Sequence, residues 1–197
     1  MPKQLHDFTK GNILQQLIVF SGPIILANFL QSSYQFVDML WVGNLLGDHS
    51  LGAVAISSTI LFTTLSFCIG INNASLTILS QQKGRGDYDG LKRYLNGFVV
   101  VLGSLSIFLG SLGYFFSEEL LNFMNTPLEM KREAMLYLQI NFLGILFLFG
   151  YNFISTIMRA LGDSKTPLKI VALAVSLNIF FDPIFIGDGR KTPTPLG

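Results

Sequence analysis

Residues 22–43 read GPIILANFLQSSYQFVDMLWVG, with Pro23 near the start and Asp38 near the end. The stretch is apolar enough to cross a membrane, yet it carries a carboxylate. Burying an ionised acid in a lipid-spanning helix costs about 2.5–3.5 kcal/mol on insertion scales, so such a group faces protein or a water-filled cavity. At 100° per residue, Ala27, Gln31 and Tyr34 fall within about 40° of the direction of Asp38. One side of the predicted helix is therefore a polar strip that ends in an acid. The other side is Ile, Leu and Phe. Pro23 lacks an N–H, so the Val19 carbonyl loses its helical partner and a bend is expected there. A bent helix with an acid on its inner face points to an ion or substrate pathway.

The rest of the chain extends this reading. Its 197 residues are 50% hydrophobic and only 13% charged, against about 25% charged in soluble domains. The sequence predicts an all-α, polytopic membrane protein forming one transmembrane domain over residues 1–197. The formal net charge is +1, which gives no sign of nucleic-acid binding. The single cysteine, Cys68, excludes an internal disulfide or a multi-cysteine metal site and reads as a small apolar residue in a buried helix. The first hydrophobic segment follows Lys3 and Lys10, but it is too long for a signal peptide and lacks a small-residue cleavage site, so a retained helix is expected.

A bilayer core of about 30 Å needs about 20 helical residues. Five segments meet this requirement: 13–42, 51–79, 94–117, 134–158 and 168–187. They are joined by Leu46–Ser50, a basic connector Ser80–Arg93, an acidic connector Ser117–Glu133 and Arg159–Pro167. Nine of the 13 basic residues fall on one side: Lys3, Lys10, Lys83, Arg85, Lys92, Arg93, Arg159, Lys165 and Lys169. By the positive-inside rule, the N-terminus is expected in the cytoplasm and the C-terminus outside, in a multi-pass protein of the cell's inner (plasma) membrane.

Two of the 12 acids remain inside the spans, Asp38 and Asp182. Asp182 lies in SLNIFFDPIF, with Asn178 one turn earlier on nearly the same face. Pro183 frees the carbonyl of Ile179 beside that face. The fourth span places Tyr137 and Asn141 one turn apart in YLQINFLG. Burial favours the neutral form of an acid. An acid that gains and loses a proton as its cavity opens and closes can couple transport to a proton gradient. The same carboxylate with the Asn178 and Gln31 oxygens would instead suit Na⁺. For both acids, an inert hydrogen-bonded place inside the bundle is the competing reading, as a tolerated kink is for Pro23 and Pro183, and helix–helix hydrogen bonding for Tyr137 and Asn141. The segment GINNASLTILSQQKGRGD, residues 70–87, suits close helix packing and a turn. Its GRG is not a phosphate loop, having neither a preceding strand nor a GK[ST] ending. His6 and His49 have no ligand partners in sequence, and no nucleophile–base arrangement is present, so neither a metal site nor an enzyme is expected.

Four pieces together resemble the multidrug and toxic compound extrusion (MATE) transporters, most closely the prokaryotic DinF-type branch: GPIILANFLQSSYQFVDMLWVGNLLG, QQKGRGD, MRALGDSKTP and LNIFFDPIFI. Their order and spacing carry the resemblance from about Ile13 to Gly197. It implies a cation-coupled antiporter of two six-helix lobes facing a central cavity. It also implies that Asp38, Asn178, Asp182 and Tyr137 form a proton or Na⁺ site in the N-terminal lobe, with Pro23 as the bending proline. The chain then corresponds to that lobe without its sixth helix, and a C-terminal lobe is an expected partner.

The expected function is therefore multidrug efflux: export of small organic cations and drugs through the lipid bilayer in exchange for H⁺ or Na⁺, with no further cofactor. Asp38, Asn178, Asp182 and Tyr137 would bind the ion, and Gln31, Tyr34 and Asn141 would line the substrate cavity. Pro23 and Pro183 would bend their helices. The aromatic content, 13%, suits substrates that use rings for apolar area and cation–π faces. Two other readings stay open at this point: a membrane fragment with no transport of its own, and a lipid-linked saccharide flippase of the same superfamily, for which a more basic cavity is expected.

Overall fold

A computed structural model describes residues 12–188. Lys3, His6, Lys10 and the tail from residue 189 lie outside the described residues, as do the side chains of Leu45 and of residues 182–188. Among the described residues the chain is helical throughout: α1 (Ile13–Leu46), α2 (Asp48–Arg85), α3 (Tyr88–Phe115), α4 (Ser117–Phe123), α5 (Leu128–Ala160) and α6 (Lys165–Asp188). The five long helices fall on the five expected segments. Four of them, α1, α2, α3 and α5, are long and apolar enough to cross a membrane.

The helices are longer than expected and the connectors shorter. Leu46–Ser50 shrinks to Gly47 alone, at φ 88 and ψ −178, a conformation essentially restricted to glycine. The basic connector is mostly helix: α2 runs to Arg85, Gly86 caps it, and Asp87 starts α3 by accepting from the Gly90 N–H at 2.8 Å. Gln, Lys and Arg are good helix formers, so charge alone does not end a helix. The acidic connector contains α4 and the first turn and a half of α5. Pro23 lies inside α1 without ending it.

The core is a three-helix packing of α2, α3 and α5, centred on Leu138, Phe142, Ile145, Phe149 and Phe153 of α5. Small residues set the distance between α3 and α5. A Cβ on Gly110 would meet Ile145 Cγ2 at 2.8 Å and the Phe142 carbonyl at 3.0 Å, and one on Gly113 would overlap the Phe142 ring. Without a hydrophobic force between helices in lipid, such close approach supplies the van der Waals contact that holds them. Ser57 of α2 adds a buried hydrogen bond to the Ala134 carbonyl at 3.2 Å. By contrast, α1 packs chiefly along α6 and meets α2 near their shared turn.

Side-chain ties mark the two ends of the bundle. At the end carrying the acidic connector, Ser50 Oγ donates to Glu133 at 2.7 Å, His49 faces Glu129 at 3.7 Å, and Lys131 binds Glu118 at 2.8 Å. At the basic end, Lys83 Nζ donates to the Leu161 carbonyl, joining the QQKGRGD turn to the MRALGDSKTP turn. In that second turn Asp163 starts α6. Its carboxylate accepts from the Lys165 and Thr166 N–H groups at 3.1 and 2.9 Å and from the Thr166 hydroxyl at 2.6 Å. These bonds satisfy donors that the first turn of a helix leaves open.

Candidate functional site

The polar residues around Tyr137 come from three helices, α1 running towards the acidic end and α2 and α5 running away from it. Asp38 lies eight residues before the end of α1, Ser58 ten residues into α2, and Tyr137 nine residues into α5. At 1.5 Å per residue each is about 12–15 Å from the acidic end of its helix. The Tyr137 phenol has the side chains of Ser58 and Asn141 as neighbours, and the charge of Asp38 reaches it. Asn141 Nδ2 donates to the Tyr137 carbonyl at 2.8 Å. Asp38, Ser58, Tyr137 and Asn141 are all half-buried. Asp38 of α1 therefore lies within electrostatic reach of Tyr137 of α5.

On the same face of α1, closer to the basic end, a cavity of about 80 Å³ opens between α1, α5 and α6. Ile24, Ala27, Asn28 and Gln31 of α1 line it. Opposite them are Tyr151, Asn152, Ser155 and Arg159 of α5 and Ser164, Pro167 and Val171 at the start of α6. Gln31 lines this cavity from an exposed position on α1. Tyr34 is half-buried on the same face of α1, between the cavity and Asp38, but neither Tyr34 nor Asn141 lines that cavity. Pro23 is half-buried one residue before the cavity-lining Ile24. Asn178 is half-buried on α6, the helix that packs along α1. Asp182 and Pro183 are within α6, but their side chains lie outside the described residues.

Three parts of this arrangement escape a reading of the acids alone. Ser58 is a small polar residue among several on α2, with nothing in its local pattern to set it apart. Asn152, Ser155 and Arg159 recur at spacings of three and four residues, a helical stripe that is legible once the fourth span is read for polar rather than acidic residues. Asn28 lies three residues before Gln31 and belongs to the same α1 surface. Among the described residues there is no cluster of three or more potential metal ligands.

Comparison with known proteins gives a consistent result. A family model described as MatE matches residues 23–184. The chain is 61% identical over 185 residues to the probable multidrug resistance protein YpnP of Bacillus subtilis, covering 94% of this chain and 42% of that protein. It is 30% identical over 178 residues to the probable multidrug resistance protein YoeA of the same organism, covering 90% of this chain and 38% of that one. A solved MOP superfamily transporter from Pyrococcus furiosus superposes with a TM-score of 0.83 at 22% identity, over 89% of this chain and 39% of the other. That likeness shows a shared helical fold. The chain spans about two fifths of the length of the curated relatives it matches.

Proposed function

The chain belongs to the MatE family, whose members are transporters rather than enzymes, and on that premise we propose that it forms the ion-coupling lobe of a multidrug antiporter. The complete transporter exports organic cations in exchange for H⁺ or Na⁺ across the cell's inner membrane, with the N-terminus of this chain in the cytoplasm. The observation that supports the proposal is that the charge of Asp38 on α1 reaches the Tyr137 phenol on α5.

An acid there can change charge between two states of its surroundings. In an open, wet state the carboxylate is ionised and attracts a cationic substrate. When it takes up a proton, or is neutralised by Na⁺, the attraction is lost and the substrate leaves. The Tyr137 hydroxyl, with Ser58 and Asn141 beside it, can donate to the ionised carboxylate and so favours one state over the other. An ion shifts such an equilibrium only through its different affinity for the two states. The element that responds is α1, with Pro23 as the point at which its hydrogen-bond ladder is broken.

The test joins residues 1–197 to the remaining length of the Bacillus relative and expresses the fusion in cells exposed to ethidium. Ethidium accumulation below that of vector-only cells is expected. Accumulation equal to vector, with the fusion present in the membrane, would contradict the proposal.

A further inference from the structure

We propose that the cavity between α1, α5 and α6 binds a phosphate-class oxyanion through the Arg159 guanidinium. The inference rests on that cavity and is independent of the coupling role given to Asp38.

Arg159 is half-buried in the last turn of α5. Its Nη2 donates to Thr156 Oγ1 at 3.1 Å. Its Nε is buried and meets no acceptor, and no carboxylate pairs with the guanidinium among the described residues. A buried donor left without an acceptor is costly. A lysine there could shed its proton, but an arginine stays charged. The guanidinium fork therefore calls for an acceptor, and the cavity it lines contains no acid.

The other polar groups around it are uncharged: Asn28 and Gln31 on α1, Asn152 and Ser155 on α5, and Ser164 before α6. Asn152 Nδ2 is already engaged, donating to the Leu148 carbonyl at 2.8 Å. The side chains of Asn28, Gln31, Ser155 and Ser164 remain as amide and hydroxyl donors around a single positive centre. A planar fork surrounded by neutral donors matches phosphate and repels an organic cation. The volume, about 80 Å³, is far below the roughly 300–1,000 Å³ of sites for drug-sized molecules, so it admits one compact group. The site also lies at the basic end, where the Lys83 ammonium reaches Leu161, two residues beyond Arg159. That position is open to two sources of the same chemistry, free phosphate and the headgroup of an anionic lipid.

The experiment uses the whole chain in phosphatidylcholine nanodiscs. One arm titrates inorganic phosphate by calorimetry. The other replaces part of the lipid with phosphatidate and reads retained phosphatidate by native mass spectrometry. Saturable binding of at least one probe is expected, weakened at least about tenfold by Arg159→Gln and partly retained by Arg159→Lys. Phosphate binding identifies the free ion, and phosphatidate retention alone identifies the headgroup. Ala27→Leu fills the cavity from α1 while leaving the charge in place, and it should weaken binding as well. That variant keeps the test decisive if Arg159→Gln does not fold. Absence of both probes from the wild-type chain, or binding unchanged in Ala27→Leu, would overturn the proposal.

Discussion

Phe149 and Phe29 are the same side chain on two long apolar helices, yet Phe149 is 1% exposed and Phe29 is 67% exposed. Phe149 belongs to α5, which α2 and α3 enclose. Phe29 belongs to α1, where Val42 alone is buried among the side chains described. The polar residues divide differently. The α2–α3–α5 core buries its hydroxyls on its own carbonyls, as Ser75 does on Ile71 and Thr156 on Asn152. The α1 surface instead directs Gln31 to a cavity and holds Asp38 within electrostatic reach of Tyr137. The contrast separates a packed scaffold from a thinly covered helix. A packed core resists change because every displacement costs contact, whereas a helix with few buried side chains can shift at small cost.

The largest effect should come from the glycine seam in the scaffold. Replacing both Gly110 and Gly113 by Val puts Cβ atoms into Ile145, the Phe142 carbonyl and the Phe142 ring. Each overpacking costs about 1–3 kcal/mol, and on one seam the pair should reduce folded protein to a trace by size-exclusion profile in detergent. A wild-type profile would mean that α3 and α5 can separate freely, and the contrast with α1 would collapse. Next comes the pair that defines the comparison. Phe149→Ala should cost about 2–3 kcal/mol. That is below the roughly 3–5 kcal/mol typical of soluble cores, because lipid tails are as apolar as the side chain's neighbours. Phe29→Ala should stay within about 0.5 kcal/mol. Thermal unfolding of the two variants in one lipid composition measures the difference, and equal shifts would remove it.

Much of this division was legible in the sequence, and the part that was not has a physical cause. Spans of this length have few alternatives, so the five long helices followed from hydropathy. The polar strip of Ala27, Gln31, Tyr34 and Asp38 followed from helical period. The connectors misled because charge was read as a break. The segment at Ser80–Arg93 is built from helix formers, and its turn is set by Gly86 and Asp87 alone. The short α4 is an amphipathic turn buried through Ser117 and Leu121, too brief to register as a period. Arg159 was legible only as one more positive charge in the orientation count. Its burial depends on α1 and α6 closing over it, which no local pattern encodes. Partners across helices, such as Ser58 for Tyr137, are tertiary facts.

The smallest effect belongs to the rim of the scaffold. The Lys131 ammonium at 2.8 Å holds the exposed Glu118 carboxyl below its ordinary range. A depressed acid favours the folded state above its ordinary value. That contribution is lost as pH falls through the lowered value. The unfolding temperature should therefore fall slightly on acidification, and Lys131→Gln should remove that portion of the slope while leaving neutral-pH stability nearly unchanged. A slope identical in the two proteins would assign the acid sensitivity to other groups.

The proposed coupling rests on Asp38 of α1 as the group that changes charge. The direct measurement places the fusion with the Bacillus relative in proteoliposomes, imposes first a pH gradient and then a Na⁺ gradient, and follows ethidium movement. Asp38→Asn keeps size and hydrogen bonding but cannot titrate. It should reconstitute and superpose with wild type by circular dichroism, and gradient-driven movement should drop to the rate seen with no gradient. Gradient-driven transport at the wild-type rate by a well-folded Asp38→Asn protein would show that this carboxylate only holds helices together.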